Sequence, residues 1–282
     1  MQLTRPANLL TALADIAAGM AIAGFLFIES TYFFLLLSTL GLYGGGVVLN
    51  DVFDAELDAI ERPERPIPSG KVPRNQAALM GVILLFLGVL FAFAYSQVSG
   101  IISLVIALLV VLYDRYAKHS SFFGPLVMGM CRGGNLLLGI SAVPESFARF
   151  GWVIIVPILY IGAITLISQD EVHGGKRKTL YLAGFFYGIV HTVQLYVAYR
   201  QGNFLFTLPL VGVHAWLVGK PLFAAIQNPV GPMIGKAVKA GVLSLIVMNA
   251  AWCLAFGYWP LAILVLILLP LSIQLARIFA VT

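Results

Sequence analysis

The sequence predicts an all-α protein, a polytopic bundle of nine to ten transmembrane helices. Three observations predict it. Sixty per cent of the 282 residues are hydrophobic and only ten per cent are charged, whereas soluble domains carry about a quarter charged residues. The apolar residues fall in long uncharged runs, such as 261–271, and a helix needs roughly 20 mostly apolar residues to cross the hydrocarbon layer. Once those runs are read as spans, the basic residues gather on one side of the bilayer.

Ten helices follow in order. The first, 7–28, comes after Arg5-Pro6, contains Asp15 and is read as a retained helix, since no signal cleavage pattern precedes it. The second, 31–51, carries Gly41 and Gly44-Gly45-Gly46, small residues that let helices approach closely. The third, 75–96, and the fourth, 98–117, are long apolar runs. The fifth, 122–142, contains Arg132-Gly-Gly-Asn135 at mid-depth. The sixth, 151–169, ends in an acidic motif. The seventh, 179–199, and the eighth, 203–226, each hold a histidine, His191 and His214, expected to be packed and hydrogen-bonded rather than catalytic. Pro209, Gly219 and Pro221 interrupt the eighth, and such breaks need protein or water to satisfy freed backbone groups. The ninth and tenth run 236–257 and 259–279.

With ten spans and a cytoplasmic N-terminus, Arg5, Arg62, Arg65, Lys71, Arg74, Arg115, Lys118, Lys176, Arg177, Lys178, Lys236, Lys239 and Arg277 fall on the cytoplasmic side. Only Arg149 and Arg200 fall on the other, with Arg132 and Lys220 set aside as lying within or near spans. This asymmetry accounts for the net charge of +5 as topology, and no nucleic-acid partner is expected. Cys131 and Cys253 lie in apolar stretches and indicate no disulfide framework. The sequence shows no convincing GxGxxG, zinc spacing or P-loop.

The acids cluster too, although they contribute little to topology. Asn50-Asp51-x-x-Asp54-x-x-x-Asp58 closes the second helix. Spacings of three and four put Asp51, Asp54 and Asp58 on one helical face, where like charges repel. A solvated helix end is the plain reading. A divalent cation is the alternative, and Mg²⁺ prefers oxygen ligands, keeps waters and bridges one or two carboxylates to phosphates. Next comes Arg62-Pro-Glu-Arg65-Pro-Ile-Pro-Ser-Gly70-Lys71, a stiff loop whose Arg62, Arg65 and Lys71 are placed either for topology or to meet an anion. A second cluster, Ser168-Gln-Asp170-Glu171-Val-His173-Gly174-Gly175, lies by parity on the same side. Its glycines equally suit a plain helix stop, and His173 is read as a loop residue. Arg132 and Asp15 are costly at mid-membrane. An ion pair between them and a ligand role stand level.

The first motif and its Arg-Pro loop resemble the first signature of the UbiA superfamily of intramembrane prenyltransferases. The resemblance extends over most of the chain, through Arg5-Pro6, Tyr113 with Lys118, and the second acidic motif, which is similar to the EboC-type UbiA-like branch. It implies one domain over 1–282, a bundle around a central cavity with an extra C-terminal helix at about 259–279. It also implies an integral protein of a bacterial inner membrane or plastid-type membrane. The implied reaction is Mg²⁺-dependent transfer of a prenyl group from an isoprenoid diphosphate to an aromatic or other lipophilic acceptor. By that resemblance Asn50, Asp51, Asp54, Asp58, Asp170 and Glu171 hold metal. Arg65 and Lys118 meet the diphosphate, with Asp54, Asp58 and Lys118 as the catalytic set. Asp15, Tyr43, Phe53, Tyr113, Arg132 and Asn135 are candidates for the cavity wall. The second motif departs from the family, with Glu171 in place of an aspartate and Gly175 where another often stands. The competing reading is therefore a non-catalytic UbiA-like protein that binds lipid or assists export. A secondary transporter has no inverted repeat in its favour.

Overall fold

The computed structural model describes residues 2–24, 30–171 and 174–278. Twelve α-helices occur among them: α1 Pro6–Ala23, α2 Phe33–Phe53, α3 Ala55–Glu61, α4 Arg74–Tyr95, α5 Gln97–Arg115, α6 Phe123–Ile140, α7 Pro144–Phe150, α8 Ile155–Ser168, α9 Arg177–Arg200, α10 Phe204–Gln227, α11 Gly231–Ala255 and α12 Trp259–Ile278. No strand is present among the described residues. Nine helical segments among them are long and apolar enough to span a membrane, with Pro144–Ser168, which joins α7 and α8, counted as one. The remaining long helix, α6, has 18 residues and carries Arg132, Asn135 and several glycines. It packs between α1, α5 and α8, so its polar groups find protein rather than lipid. All ten expected helices are therefore present, and the chain is a multi-pass membrane protein.

The differences lie at the ends. Pro6 opens α1 behind Arg5, which adopts a left-handed conformation (φ 42°). Gly24, at φ 81°, closes the helix by donating its N–H to the Met20 and Ala21 carbonyls. Only glycine enters that region without a Cβ penalty, so α1 stops short of the expected 28. The eighth expected helix is continuous as α10 despite Pro209 and Pro221. α11 starts five residues before the expected 236, with Pro232 in its first turn, so Lys236 lies inside the helix rather than at its start. The sixth span enters through α7 and a 3₁₀ turn, Gly151–Ile154.

α1 is the central strut. It packs on α2, α6, α11 and α12, while α2, α4, α5 and α6 form one side and α8, α9, α10 and α11 the other. Small residues set the close approaches. A Cβ at Gly45 would lie 2.8 Å from the Gly81 carbonyl oxygen of α4, and one at Gly19 would lie 2.2 Å from the Leu136 carbonyl oxygen of α6. The two sides leave a cavity of about 480 Å³ between α1, α2, α3, α5, α6, α8 and α11.

Candidate active site

The acidic motif falls at a bend. α2 ends at Phe53 and α3 resumes at Ala55, while Asp54 sits at φ −86°, ψ 0°. Helical hydrogen bonds nevertheless run through the junction, from Asp54 N–H to the Asn50 carbonyl (2.9 Å) and from Asp58 N–H to the Asp54 carbonyl (2.8 Å). Register survives the bend, so Asn50, Asp54 and Asp58 all face the cavity. Asp51 does not line it. It is one residue round the helix from Asn50, is buried, and accepts from Arg5 Nη2 at 2.8 Å.

Each aspartate of the first motif is paired with a basic side chain. Arg65 Nη1 donates to Asp58 Oδ2 at 2.7 Å and lies 3.5 Å from Asp51 Oδ1. Lys118, on the 3₁₀ turn after α5, pairs with Asp54. Arg62 joins Arg5 and Arg65 on the cavity wall, whereas Lys71 is exposed and lies off it. Among the described residues no three carboxylate, histidine or cysteine groups converge as a ready-made metal site.

The second motif is rearranged relative to the sequence reading. α8 ends at Ser168, so Asp170 and Glu171 lie on a turn rather than a continued helix. Glu171 lines the cavity and Asp170 does not. Asp170 packs on Gly175, where a Cβ would sit 2.6 Å from its Oδ2. That crowding leaves no room for a side chain at position 175 unless Asp170 shifts. Glu171 rests against Gly235 of α11, where a Cβ would be 2.8 Å from its Oε1. His173 lies outside the described residues.

Of the six proposed wall residues, Tyr43, Tyr113, Arg132 and Asn135 line the cavity. Phe53 does not. It packs instead on the apolar cluster of Ile16, Leu42 and Leu49. Asp15 sits behind the wall, because its neighbours saturate it. Arg132 Nε lies 3.0 Å from Asp15 Oδ2, Asn249 Nδ2 donates to Oδ1 at 2.7 Å, and Asn135 Nδ2 donates to Oδ2 at 3.3 Å. The ion pair left open by the sequence is thus formed. His191 and His214 are hydrogen-bonded to one another at 2.8 Å, and His214 also meets the Tyr160 hydroxyl at 3.1 Å. Neither histidine lines the cavity.

Sequence reasoning missed two site residues. Arg5 served there only as a topology marker and an opening motif, yet it reaches Asp51. Asp114 is buried at the cavity wall. Its Oδ1 accepts from Asn50 Nδ2 at 2.9 Å, and its Oδ2 is buried without a hydrogen-bond partner. The available signal was an acid inside the last turn of an apolar span.

Comparison with known proteins agrees with this arrangement. Residues 12–231 match the model of the UbiA prenyltransferase family. The digeranylgeranylglyceryl phosphate synthase of Methanosarcina mazei is 36% identical over 129 residues, covering 46% of this chain and 43% of that protein. The synthase of the same name from Saccharolobus solfataricus is 31% identical over 172 residues, covering 60% of each. The chain thus spans less than two thirds of the length of either relative. A UbiA homologue from Archaeoglobus fulgidus bound to DMAPP and Mg²⁺ shares the fold, with a TM-score of 0.65 at 14% identity over 86% of this chain and 98% of that one. The narrower EboC-type likeness is not confirmed by these matches.

Proposed function

We propose that this chain, which belongs to the UbiA prenyltransferase family, transfers a prenyl group from an isoprenoid diphosphate to a lipophilic acceptor with Mg²⁺. One observation carries the proposal. Asn50, Asp54, Asp58 and Glu171 share a cavity wall with Arg5, Arg62 and Arg65, while the same cavity is lined elsewhere by apolar residues such as Ile161, Ile164, Val238, Val242 and Leu245. A polar end carrying both charge signs suits a metal-bound diphosphate, and an apolar body suits a prenyl chain. DMAPP and Mg²⁺ in the Archaeoglobus homologue support the donor class. The names of the curated relatives support a lipid acceptor.

The residues fit Mg²⁺. The donors are all oxygens, and Mg²⁺ is usually held by one or two carboxylates together with substrate phosphates rather than by an all-protein cage. Asn50, Asp54 and Asp58 would hold it from α2 and α3, with Glu171 facing them. Asp51 and Asp170, which lie off the wall, would act behind these ligands. When bound, Mg²⁺ neutralises charge developing on the leaving diphosphate. Arg65 and Lys118 add fixed positive charge at the same end. The faces of Tyr43 and Tyr113 stabilise an allylic cation by their quadrupoles. The apolar wall excludes the water that would quench it.

In this reading the whole chain is one domain with α12 as an addition to the bundle. The N-terminus and both acidic motifs face the cytoplasm, in a bacterial inner membrane or plastid-type membrane. The test supplies folded, purified protein with prenyl diphosphates of several lengths and candidate lipid acceptors. Mg²⁺-dependent diphosphate release with a prenylated product is expected. No release with any donor, from protein that still binds one, would move the assignment to a non-catalytic lipid-binding protein.

A further inference from the structure

Asp114 lies in the last turn of α5 and is buried at 4% exposure. A carboxylate inside an apolar span is costly and marks a functional candidate. Its own contacts do not offset that cost. Unlike Asp51, Asp54 and Asp58, Asp114 makes no salt bridge among the described residues, and its Oδ2 has no hydrogen-bond partner. The one side-chain hydrogen bond of Asp114 crosses to α2, where Oδ1 accepts from Asn50 Nδ2 at 2.9 Å. Oδ1 is therefore engaged, and Oδ2 has essentially no accessible surface, so neither oxygen of Asp114 is open to a ligand. Asn50 differs. It lines the cavity, and its Oδ1 has no hydrogen bond among the described residues yet keeps accessible surface.

From this geometry we infer that Asp114 is a positioning residue: it holds the Nδ2 end of the Asn50 amide and so presents Asn50 Oδ1 to Mg²⁺. An asparagine side chain has two ends of similar size, a carbonyl oxygen that accepts and an NH₂ that only donates. Mg²⁺ takes oxygen ligands, so a flipped amide would turn N–H donors toward the metal. An ionised carboxylate only accepts. Asp114 therefore attracts Nδ2 and repels Oδ1, and both effects disfavour the flip. Groups that orient a metal ligand in this way change metal affinity when they are removed, although they never touch the ion. The inference rests on the Mg²⁺ reading above and adds to it a residue from outside both acidic motifs.

The test reads metal affinity without turnover. The full-length protein in detergent is titrated with Mg²⁺ at a fixed concentration of radiolabelled geranyl diphosphate, and the half-saturating Mg²⁺ concentration is taken from the bound label. Asp114→Asn keeps the size of the side chain, but its amide offers Asn50 a donor as well as an acceptor and no longer fixes the flip. That variant should need about ten- to 100-fold more Mg²⁺, the range for loss of a group that orients a ligand. Asn50→Ala should lose at least as much. The Asn50→Ala/Asp114→Asn double variant should stay within about twofold of Asn50→Ala, because Asp114 acts only through Asn50. A parent-like Mg²⁺ requirement in folded Asp114→Asn overturns the inference. So does a double variant in which the two losses multiply, since Asp114 would then act on the metal by its charge. Should Asp114→Asn fail to fold, the exchange Asn50→Asp/Asp114→Asn decides. It keeps the charge and the hydrogen bond of the pair and places a carboxylate, which has no wrong end, at position 50. The exchange should need no more Mg²⁺ than the parent, and a need about tenfold greater overturns the inference. Parent binding that is indifferent to Mg²⁺ overturns the metal reading and this inference together, whereas a Mg²⁺-dependent parent with parent-like variants overturns this inference alone.

Discussion

Replacing Asp15 by alanine is the most direct probe of the bundle's polar centre. The change removes a carboxylate that faces Arg132 at 3.0 Å and is only 2% exposed, against 6% for the arginine side chain. It also removes the oxygen that Asn249 meets at 2.7 Å. Two scales compete. Hydrogen bonds between membrane helices average about 0.6 kcal/mol in double-mutant cycles, so two lost bonds alone would cost little more than about 1 kcal/mol. Breaking a buried ion pair on one side instead leaves an uncompensated charge and costs about 3–5 kcal/mol. The second effect dominates, because Arg132 is buried on α6, which packs between α1, α5 and α8. Reversible unfolding in mixed micelles should therefore show a loss of about 3–5 kcal/mol for Asp15→Ala. Asp15→Leu/Arg132→Met removes both charges and should recover most of that loss, since apolar replacements of buried pairs are often neutral. A single-variant loss below about 1 kcal/mol, or a double variant as unstable as the single-variant losses added together, would refute the ion-pair argument.

Three further outcomes are expected. Asp54→Asn and Asp58→Asn should each weaken Mg²⁺-dependent binding of geranyl diphosphate about tenfold or more, while Asp170→Asn, off the cavity wall, should stay within about twofold, as read by calorimetry. If Asp170→Asn matches the other two, the turn carrying Asp170 reorganises on binding. Gly45→Val should cost about 1–3 kcal/mol through overpacking against α4, whereas Gly188→Ala, whose Cβ would meet nothing within 4 Å, should be neutral or gain up to about 1 kcal/mol of helix propensity; the same unfolding assay separates them. In sealed vesicles, Lys71→Cys and Glu145→Cys should react with an impermeant thiol reagent from opposite faces, and labelling from one face would overturn the helix parity.

The helix count was legible because lipid imposes a single rule, a long apolar run for every crossing. It held even at α10, where Pro209 and Pro221 break the local rule for soluble helices. The ends were less legible. Gly24 closes α1 through its left-handed backbone, and Pro232 opens α11 before the apolar run begins. Both are local signals that hydropathy overlooks. In the site, the spacing of Asn50, Asp54 and Asp58 was informative because helical register survives the bend at Asp54. Asp51 shares Arg65 with Asp58 yet lies off the cavity wall, since a face shared on a helix says nothing of which neighbour that face meets. Of Asp170 and Glu171, only Glu171 lines the cavity. Helical periodicity of about 100° per residue does not apply to them, because the chain leaves the helix after Ser168. Arg5 and Asp114 reach the site through contacts between residues far apart in sequence, which periodicity cannot encode.

The pairing of the first motif with cations changes what its aspartates imply. Three carboxylates on one face suggest a site that captures metal directly. Here Arg5 holds Asp51, Arg65 holds Asp58 and Lys118 holds Asp54. A free divalent cation would have to displace these partners and leave each partly buried ammonium or guanidinium without an anion. A free diphosphate would have to take the cations from the carboxylates and leave those unpaired in turn. Either exchange alone leaves buried charge uncompensated, at a cost of several kcal/mol. A ligand carrying both signs exchanges both sets together: its metal meets the carboxylates while its phosphates meet Arg65 and Lys118. The interleaving of acids and bases at the polar end therefore favours the metal–diphosphate complex over either component.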